Sequence, residues 1–153
     1  MILESVVREV RTAVSCDCAV VIRFDESSKS GCVMACAGDL HDEISKQTTV
    51  EFTGDAVAEV AALGEESSYL PDLEHDDGEM SGWLSSHGLR SAYRVPVSVE
   101  GAVNAVVIAV SATPRAFSQA QLSILNALSP HIAAAVRNAR LYEELRISYE
   151  KLG

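Results

Sequence analysis

The four cysteines are the residues of this chain whose type suits metal or redox chemistry. Cys16, Cys18, Cys32 and Cys36 all lie in the first quarter of the sequence. A Cys₄ zinc site needs sulfur atoms within about 4 Å of one another, because each Zn–S bond is about 2.3 Å long. Cys32 and Cys36 would lie about 13 Å apart on a strand that rises about 3.3 Å per residue. The spacing therefore predicts no metal site, and it favours free thiols that pack as small apolar side chains.

Two histidines in the middle of the chain have different surroundings. His75 lies in an acidic stretch that starts at Asp72, a composition typical of a solvated loop. The same stretch does not fit a calcium-binding EF-hand, since the glycine and the final glutamate of that loop are missing. His87 shares a predicted helical face with Met80 and Trp83. A histidine in that position more often packs or donates a hydrogen bond than binds a metal.

Arg94 is the charged residue that most suggests a binding role. It alternates with Val95 in a β-rich run, and this alternation predicts that it faces away from the valines. A cation inside a cavity is costly unless it is paired. A carboxylate or phosphate of a ligand would pair with it. The alternative is a salt bridge to an acid of residues 72–79.

The sequence predicts the helices and strands that position these residues most clearly at the two ends of the chain. Apolar residues at three- and four-residue steps predict a helix over residues 1–15. A hairpin follows over 19–24 and 31–37, and a second one over 91–99 and 102–112 turns at Glu100-Gly101. With a two-residue turn, Val95 pairs with Val106 and Val97 with Asn104. The face toward the terminal helices would then carry Val95, Val97, Val99, Val106, Ile108 and Val110. The opposite face would carry Ala92, Arg94, Ser98, Ala105, Val107 and Ala109.

The segment between the hairpins, residues 38–90, is polar and acidic. It predicts short elements: a helix over 55–63, a strand over 68–70 before Pro71, and a helix over 78–87 ended by Gly88.

The final helix has the clearest start signal. Ser118 and Gln121 form a capping box, and Phe117 can contact Leu122 as a hydrophobic staple. The helix is predicted to reach about Leu152, with a kink or restart at Pro130. Its second half carries four–three spacing typical of a coiled-coil seam. The seam residues are Ala134, Asn138, Leu141, Leu145, Ser148 and Leu152.

Length, charge and hydropathy exclude several classes of protein. A chain of 153 residues suits one domain, and its net charge of −10 opposes binding to nucleic acid. The longest apolar run, residues 105–110, is far shorter than the roughly 18 residues that a transmembrane helix needs. The first residues lack the basic and apolar pattern of a secretory signal, and we therefore expect a cytoplasmic protein with reduced cysteines.

The order of motifs resembles a GAF domain. The resemblance rests on SAYRVPV at 91–97, Gly101, Phe117-Ser118, and IAAAVRNARLYEEL at 132–145. It implies an α+β fold, GAF-like and related to PAS domains, with a central antiparallel sheet of about five to six strands. The N- and C-terminal helices would bundle on one face, and short helices and loops would close a pocket on the other. The sensor domain would cover 1–137, and a signalling helix would begin over 138–153.

The resemblance also implies a function. Domains that resemble this one are commonly regulatory modules of bacterial signalling proteins, for example sensor histidine kinases of two-component systems, and we expect this chain to be such a module and not an enzyme. We expect a small-molecule ligand in the pocket and a homodimer formed through the terminal helices. The expected ligand-binding residues are Phe52, Tyr69, Met80, Trp83, His87 and Arg94. The expected dimer and signalling residues are Ala134, Asn138, Leu141, Leu145 and Leu152.

Alternatives within the family remain open at this point. The first is a ligand-free dimerisation spacer. A haem or iron sensor would use an axial histidine, for which His87 is the better candidate; no cofactor is required. A GAF-type methionine sulfoxide reductase would carry its cysteines in the middle segment, where this sequence has none. A covalently bound bilin would need a cysteine within residues 80–87, and none is present.

Overall fold

The computed structural model describes residues 2–14, 16–24, 30–38, 49–51, 60, 66–99 and 102–152. Its elements, in chain order, are α1 (Ile2–Val14), β1 (Cys18–Phe24), β2 (Ser30–Gly38), β3 (Thr49–Glu51), β4 (Ser68–Leu70), a 3₁₀ turn (Leu73–His75), α2 (Glu79–Ser86), β5 (Ser91–Val99), β6 (Ala102–Ser111) and α3 (Gln119–Leu152). Of the helix predicted over 55–63, only Val60 lies within the described residues. The other predicted elements are present, with ends that differ by a few residues at most.

The six strands form one antiparallel sheet in the order β3-β2-β1-β6-β5-β4. Helices α1 and α3 pack together on one side of the sheet, which we call the helix face. The other side, which we call the far face, is covered by α2 and the 3₁₀ turn. The predicted α+β fold with terminal helices on one face is confirmed.

Each face of the sheet has its own apolar core. The helix-face core joins Val7, Val10 and Val14 of α1 and Leu125, Ile132 and Val136 of α3 to inward strand residues such as Val21 and Val107. The far-face core joins Met80 and Leu84 of α2 to strand residues such as Ile22 and Ile108. The strands contribute mainly valine, isoleucine and alanine side chains to the two cores, and alternate strand positions face opposite cores because of the pleat of the sheet.

The predicted face assignment of β6 is wrong. Val106, Ile108 and Val110 lie in the far-face core, and Ala105, Val107 and Ala109 lie in the helix-face core. The two-residue turn is correct, because Val99 pairs with Ala102, but the register then shifts: Ser98 pairs with Val103 and Val97 with Ala105. The additional residue, Asn104, makes a β-bulge, which exchanges the two faces of β6 beyond it. The side chains of β5 lie on the predicted faces, with Val95 and Val97 in the helix-face core and Ala92 in the far-face core.

The start of α3 is capped as the sequence predicts. Ser118 Oγ accepts from the Gln121 amide at 3.2 Å, and Gln121 Oε1 accepts from the Ser118 amide at 2.8 Å. Gln121 Nε2 also donates to the Val14 carbonyl at 2.8 Å, which ties the end of α1 to the start of α3. The helix does not restart at Pro130, since α3 is continuous through it.

We expect Ser118→Ala to lower the free energy of unfolding by about 1 kcal/mol, because the Gln121 amide loses its acceptor at the helix start. Urea denaturation measures this loss. The neighbouring exposed position Gln119 supplies the control, and Gln119→Ala should leave stability within about 0.5 kcal/mol of the wild type. If Ser118→Ala had the same free energy of unfolding as the wild type, the capping box would not stabilise α3.

Candidate functional site

Two of the predicted ligand-binding residues, Met80 and Trp83, belong to α2, and His87 directly follows it. Met80 is fully buried in the far-face core, Trp83 packs against that core, and His87 lies at the end of the helix. The rings of Trp83 and His87 meet edge to face, with centroids 5.5 Å apart and an angle of 74°. Met80 is therefore a core residue, whereas Trp83 and His87 form a half-buried aromatic pair at the margin of the core.

Local polar contacts set the position of α2. Asp76 Oδ2 accepts from the Gly78 amide at 3.1 Å and from Ser81 Oγ at 2.6 Å, which organises the start of the helix. Gly88 follows the helix with φ of +83°, a backbone conformation that glycine adopts without strain. Part of the acidic stretch thus has a structural role that the sequence analysis did not assign.

Arg94 lies on the far face of β5, as its parity predicts. Its neighbour Ala92 belongs to the far-face core, whereas Tyr93 and Val95 belong to the helix-face core. Only 7% of Arg94 is exposed, and its Nε donates to Ser68 Oγ of the edge strand β4 at 3.0 Å. A buried guanidinium that contacts an edge strand can bind an anionic group of a ligand.

Tyr69 lies on the opposite side of the sheet from the other candidates. It packs against the helix-face core and meets Phe117 edge to face, with ring centroids 5.9 Å apart. The prediction treated Tyr69 as a residue of the pocket, but alternation along β4 turns Ser68 and Leu70, and not Tyr69, toward the far face. Phe52 is outside the described residues.

Arg90 anchors part of the acidic stretch. Arg90 Nε pairs with Glu74 Oε1 at 2.9 Å, and Arg90 Nη1 donates to the carbonyls of Ser85 and Leu89. Asp72 Oδ2 lies 2.7 Å from His75 Nδ1. Asp72, Glu74 and His75 place possible ligand atoms within 4.8 Å of one another, although exposed acidic groups of this kind are common without a metal.

A chain of serine contacts connects the edge strand to α3. Ser67 Oγ donates to Ser129 Oγ at 2.8 Å, and Ser129 Oγ donates to the Leu125 carbonyl at 2.7 Å. Ser67 and Ser68 are adjacent in sequence and point to opposite faces. Ser68, the first residue of β4, therefore contacts Arg94 on the far face, and Ser67, just before the strand, contacts α3 on the helix face, one residue before Pro130.

The predicted signalling residues lie in the second half of α3. Ala134 is half-buried and Asn138 is exposed, and Leu141 and Leu145 are 46% and 57% exposed. Other large apolar residues are exposed along the same helix, namely Ile124, Tyr142, Ile147 and Tyr149. The side chain of Leu152 is outside the described residues. The second half of α3 thus presents an apolar surface that the described part of the chain does not cover.

A groove runs between α1 and α3 on the outer side of the helix pair. It has a volume of about 410 Å³, and its apolar lining includes Val10, Ala13, Leu128, Ile132 and Ala135. The groove is separated from Arg94 and Trp83 by the sheet. None of the described helices is long and apolar enough to span a lipid bilayer.

Comparison with known proteins agrees with this architecture. The GAF domain of Thermosynechococcus elongatus PixJ, in its blue-light absorbing form, has 19% sequence identity and a TM-score of 0.73, with 98% of this chain and 91% of that chain covered. A domain of a Sinorhizobium meliloti protein assigned as a two-component sensor histidine kinase has 14% identity and a TM-score of 0.66, with 94% of each chain covered.

The photosensory core module of a Stigmatella aurantiaca phytochrome has 16% identity and a TM-score of 0.69; 97% of this chain is covered, but only 35% of that chain. None of the curated protein sequences compared with the chain matches it significantly. At these identities, the solved structures show the shared fold. The profile of the GAF domain family matches residues 2–137. The chain therefore belongs to the GAF domain family.

Proposed function

We propose that this GAF domain is a regulatory module of a signalling protein, with no reaction of its own, that binds a small anionic ligand on the far face. The ligand would contact Arg94 and the Trp83–His87 pair. Its occupancy would change the arrangement of α3 in a homodimer. A sensor histidine kinase is the proposed context, because one of the similar structures comes from a protein assigned to that class.

The observation that carries the proposal is a pair of contacts made by Ser67 and Ser68 at the start of β4. On the far face Ser68 accepts from Arg94, and on the helix face Ser67 donates to Ser129 of α3. A ligand that draws the guanidinium toward itself would alter the Ser68 contact, and β4 would transmit the change to α3. Such a ligand shifts the population of α3 only as far as its affinity differs between the two arrangements.

Small molecules that copurify with the protein test the binding part of this proposal. We expect heat-denatured wild-type protein to release a reproducible anionic compound, detectable by liquid chromatography and mass spectrometry. Arg94→Met should release at least about tenfold less of this compound, since a charge-assisted contact contributes about 1.5–3 kcal/mol. Arg90→Met, at an arginine that pairs with Glu74 instead, is the control and should retain the compound. Equal release of the compound from both variants would show that Arg94 does not contact the ligand.

A double-mutant cycle tests the serine contact. We expect Ser67→Ala and Ser129→Ala each to lower the free energy of unfolding by about 1 kcal/mol, and the double variant to lose less than the sum. The coupling energy should be about 0.5–1 kcal/mol, measured by urea denaturation. A control cycle between Ser67 and the exposed Ser123 of α3 should show no coupling. Additive losses in the first cycle would mean that β4 does not communicate with α3 through these hydroxyls.

A second candidate function, a dimerisation spacer without a ligand, is favoured by a separate observation. The exposed apolar surface of α3 and the groove between α1 and α3 could form a dimer interface whether or not the far face binds a ligand. The two functions differ in one respect. In a spacer, the wild-type dimer would carry no bound mass, and Arg94→Met would be the same bare dimer.

A further inference from the structure

Two of the four cysteines face each other across adjacent strands. Cys18 of β1 and Cys36 of β2 place their Sγ atoms 3.3 Å apart. Cys18 is opposite Gly38 and Cys36 is opposite Val20, so the two cysteines are diagonal neighbours on the same face of the sheet. Cys18 is fully buried in the far-face core, and Cys36 is half-buried against that core.

The backbone holds the strands close together at this point. Gly38 has φ of +125°, and a Cβ placed on it would lie 2.2 Å from the Asp17 carbonyl oxygen and 2.7 Å from Cys18 Cα. Only glycine permits this approach. The short Sγ–Sγ distance therefore follows from the way β2 ends, and a shift of about 1.3 Å would bring the sulfurs to the bond length of about 2.05 Å in a disulfide.

We propose that Cys18 and Cys36 form a peroxide-sensitive dithiol, which a hydroperoxide oxidises to an intrachain disulfide. In the first step the Cys36 thiolate attacks hydrogen peroxide; the O–O bond breaks, Cys36 becomes a sulfenic acid and hydroxide leaves. In the second step the Cys18 sulfur attacks the sulfenic sulfur, the S–O bond breaks, and the Cys18 proton leaves with the oxygen as water. A small-molecule or protein dithiol reverses the reaction and is itself oxidised to a disulfide.

The surroundings of the two sulfurs assign their order of reaction. Cys36 is the more accessible of the pair. The hydrogen bond from the Cys18 thiol lowers the pKa of Cys36, although partial burial opposes this change. The same hydrogen bond and burial raise the pKa of Cys18. Because the thiolate is the nucleophile, Cys36 reacts with peroxide first and Cys18 resolves the sulfenic acid.

The remaining cysteines are matched controls, because each lies outside the pair. Cys16 belongs to the helix-face core, and burial raises the pKa of its thiol. Cys32 is opposite Arg23 in the strand register. The next residue, Val33, has its side chain in the far-face core, so the side chain of Cys32 lies on the helix face, away from Cys18 and Cys36.

The test treats the whole chain with hydrogen peroxide, alkylates the remaining thiols under denaturing conditions, and measures intact mass. We expect a loss of two alkylatable thiols and of two hydrogen atoms, both restored by a dithiol reductant. Trypsin should yield a cross-linked product of residues 12–23 and 30–46. Cys16→Ser and Cys32→Ser should still form the bond, whereas Cys36→Ser should not. Cys18→Ser should accumulate a sulfenic acid on Cys36 that dimedone traps.

Three outcomes would overturn the proposal. The first is a wild-type protein whose four thiols all remain alkylatable after peroxide. The second is a disulfide that requires Cys16 or Cys32, and the third is one that joins two chains. The wild-type cross-link and its fragmentation do not depend on the folding of any variant. The result is also separate from the proposed ligand, because release of a copurified compound is measured without peroxide.

Discussion

Replacing Leu141 and Leu145 together with glutamate is expected to convert the proposed dimer into a monomer. The two leucines are half-exposed in the single chain and lie four residues apart along the predicted seam from Ala134 to Leu152. Burying a leucine side chain contributes about 1.5–3 kcal/mol, and a homodimer buries each one twice. The dissociation constant should therefore rise at least about a thousandfold, which corresponds to about 4 kcal/mol. Sedimentation velocity over a range of concentrations measures it.

A matched variant tests whether dissociation requires a change at the seam or follows from a charge at any exposed apolar residue of α3. Ile147 is 43% exposed on the same helix, but it does not fall on the four–three pattern. Ile147→Glu should leave the dissociation constant within about tenfold of the wild type. If Ile147→Glu dissociates the protein and the double leucine variant does not, α3 pairs through another face and the predicted seam is wrong.

A second large effect is expected at Gly38. Gly38→Ala should lower the free energy of unfolding by about 2–4 kcal/mol, because the new Cβ would overlap the backbone of Asp17 and Cys18 at a positive φ that alanine disfavours. The overlap is with backbone atoms, so no side-chain rotation relieves it. Strand β2 would have to move away from β1. Urea denaturation with a two-state fit measures the loss.

Gly82 provides the opposite case. It lies inside α2, and, apart from its chain neighbours and the nearby helix backbone, no atom of the described residues is within 4 Å of the position that its Cβ would occupy. Gly82→Ala should therefore raise the free energy of unfolding by about 0.5–1 kcal/mol, since glycine weakens a helix interior. If both variants behaved alike, the close approach of β1 and β2 at Gly38 would not be a feature of the folded protein.

Elements whose signals are local could be predicted from the sequence. The capping residues Ser118 and Gln121 are three positions apart, and the helix they start was predicted to within one residue. The second hairpin shows where local reasoning fails. Its turn was predicted correctly, but the bulge at Asn104 depends on how β6 packs between β1 and β5, which the turn sequence does not specify.

The candidate site was predicted only in part, for a related reason. Arg94 could be placed on the far face because β5 alternates regularly, whereas Tyr69 lies in a three-residue strand that is too short for a clear alternation. The contacts of Ser67 with Ser129 and of Cys18 with Cys36 join residues that are 62 and 18 positions apart. Such pairs follow from sheet order and register, and no single-sequence pattern contains them.

Native mass spectrometry of the purified chain tests the central claim most directly, because it reports the number of chains and any bound mass in the same ion. We expect a dimer that carries a reproducible additional mass, and an Arg94→Met variant that is a dimer without that mass. A bare wild-type dimer would support the spacer function. A bare monomer would contradict both the seam on α3 and the proposed route from the far face to that helix.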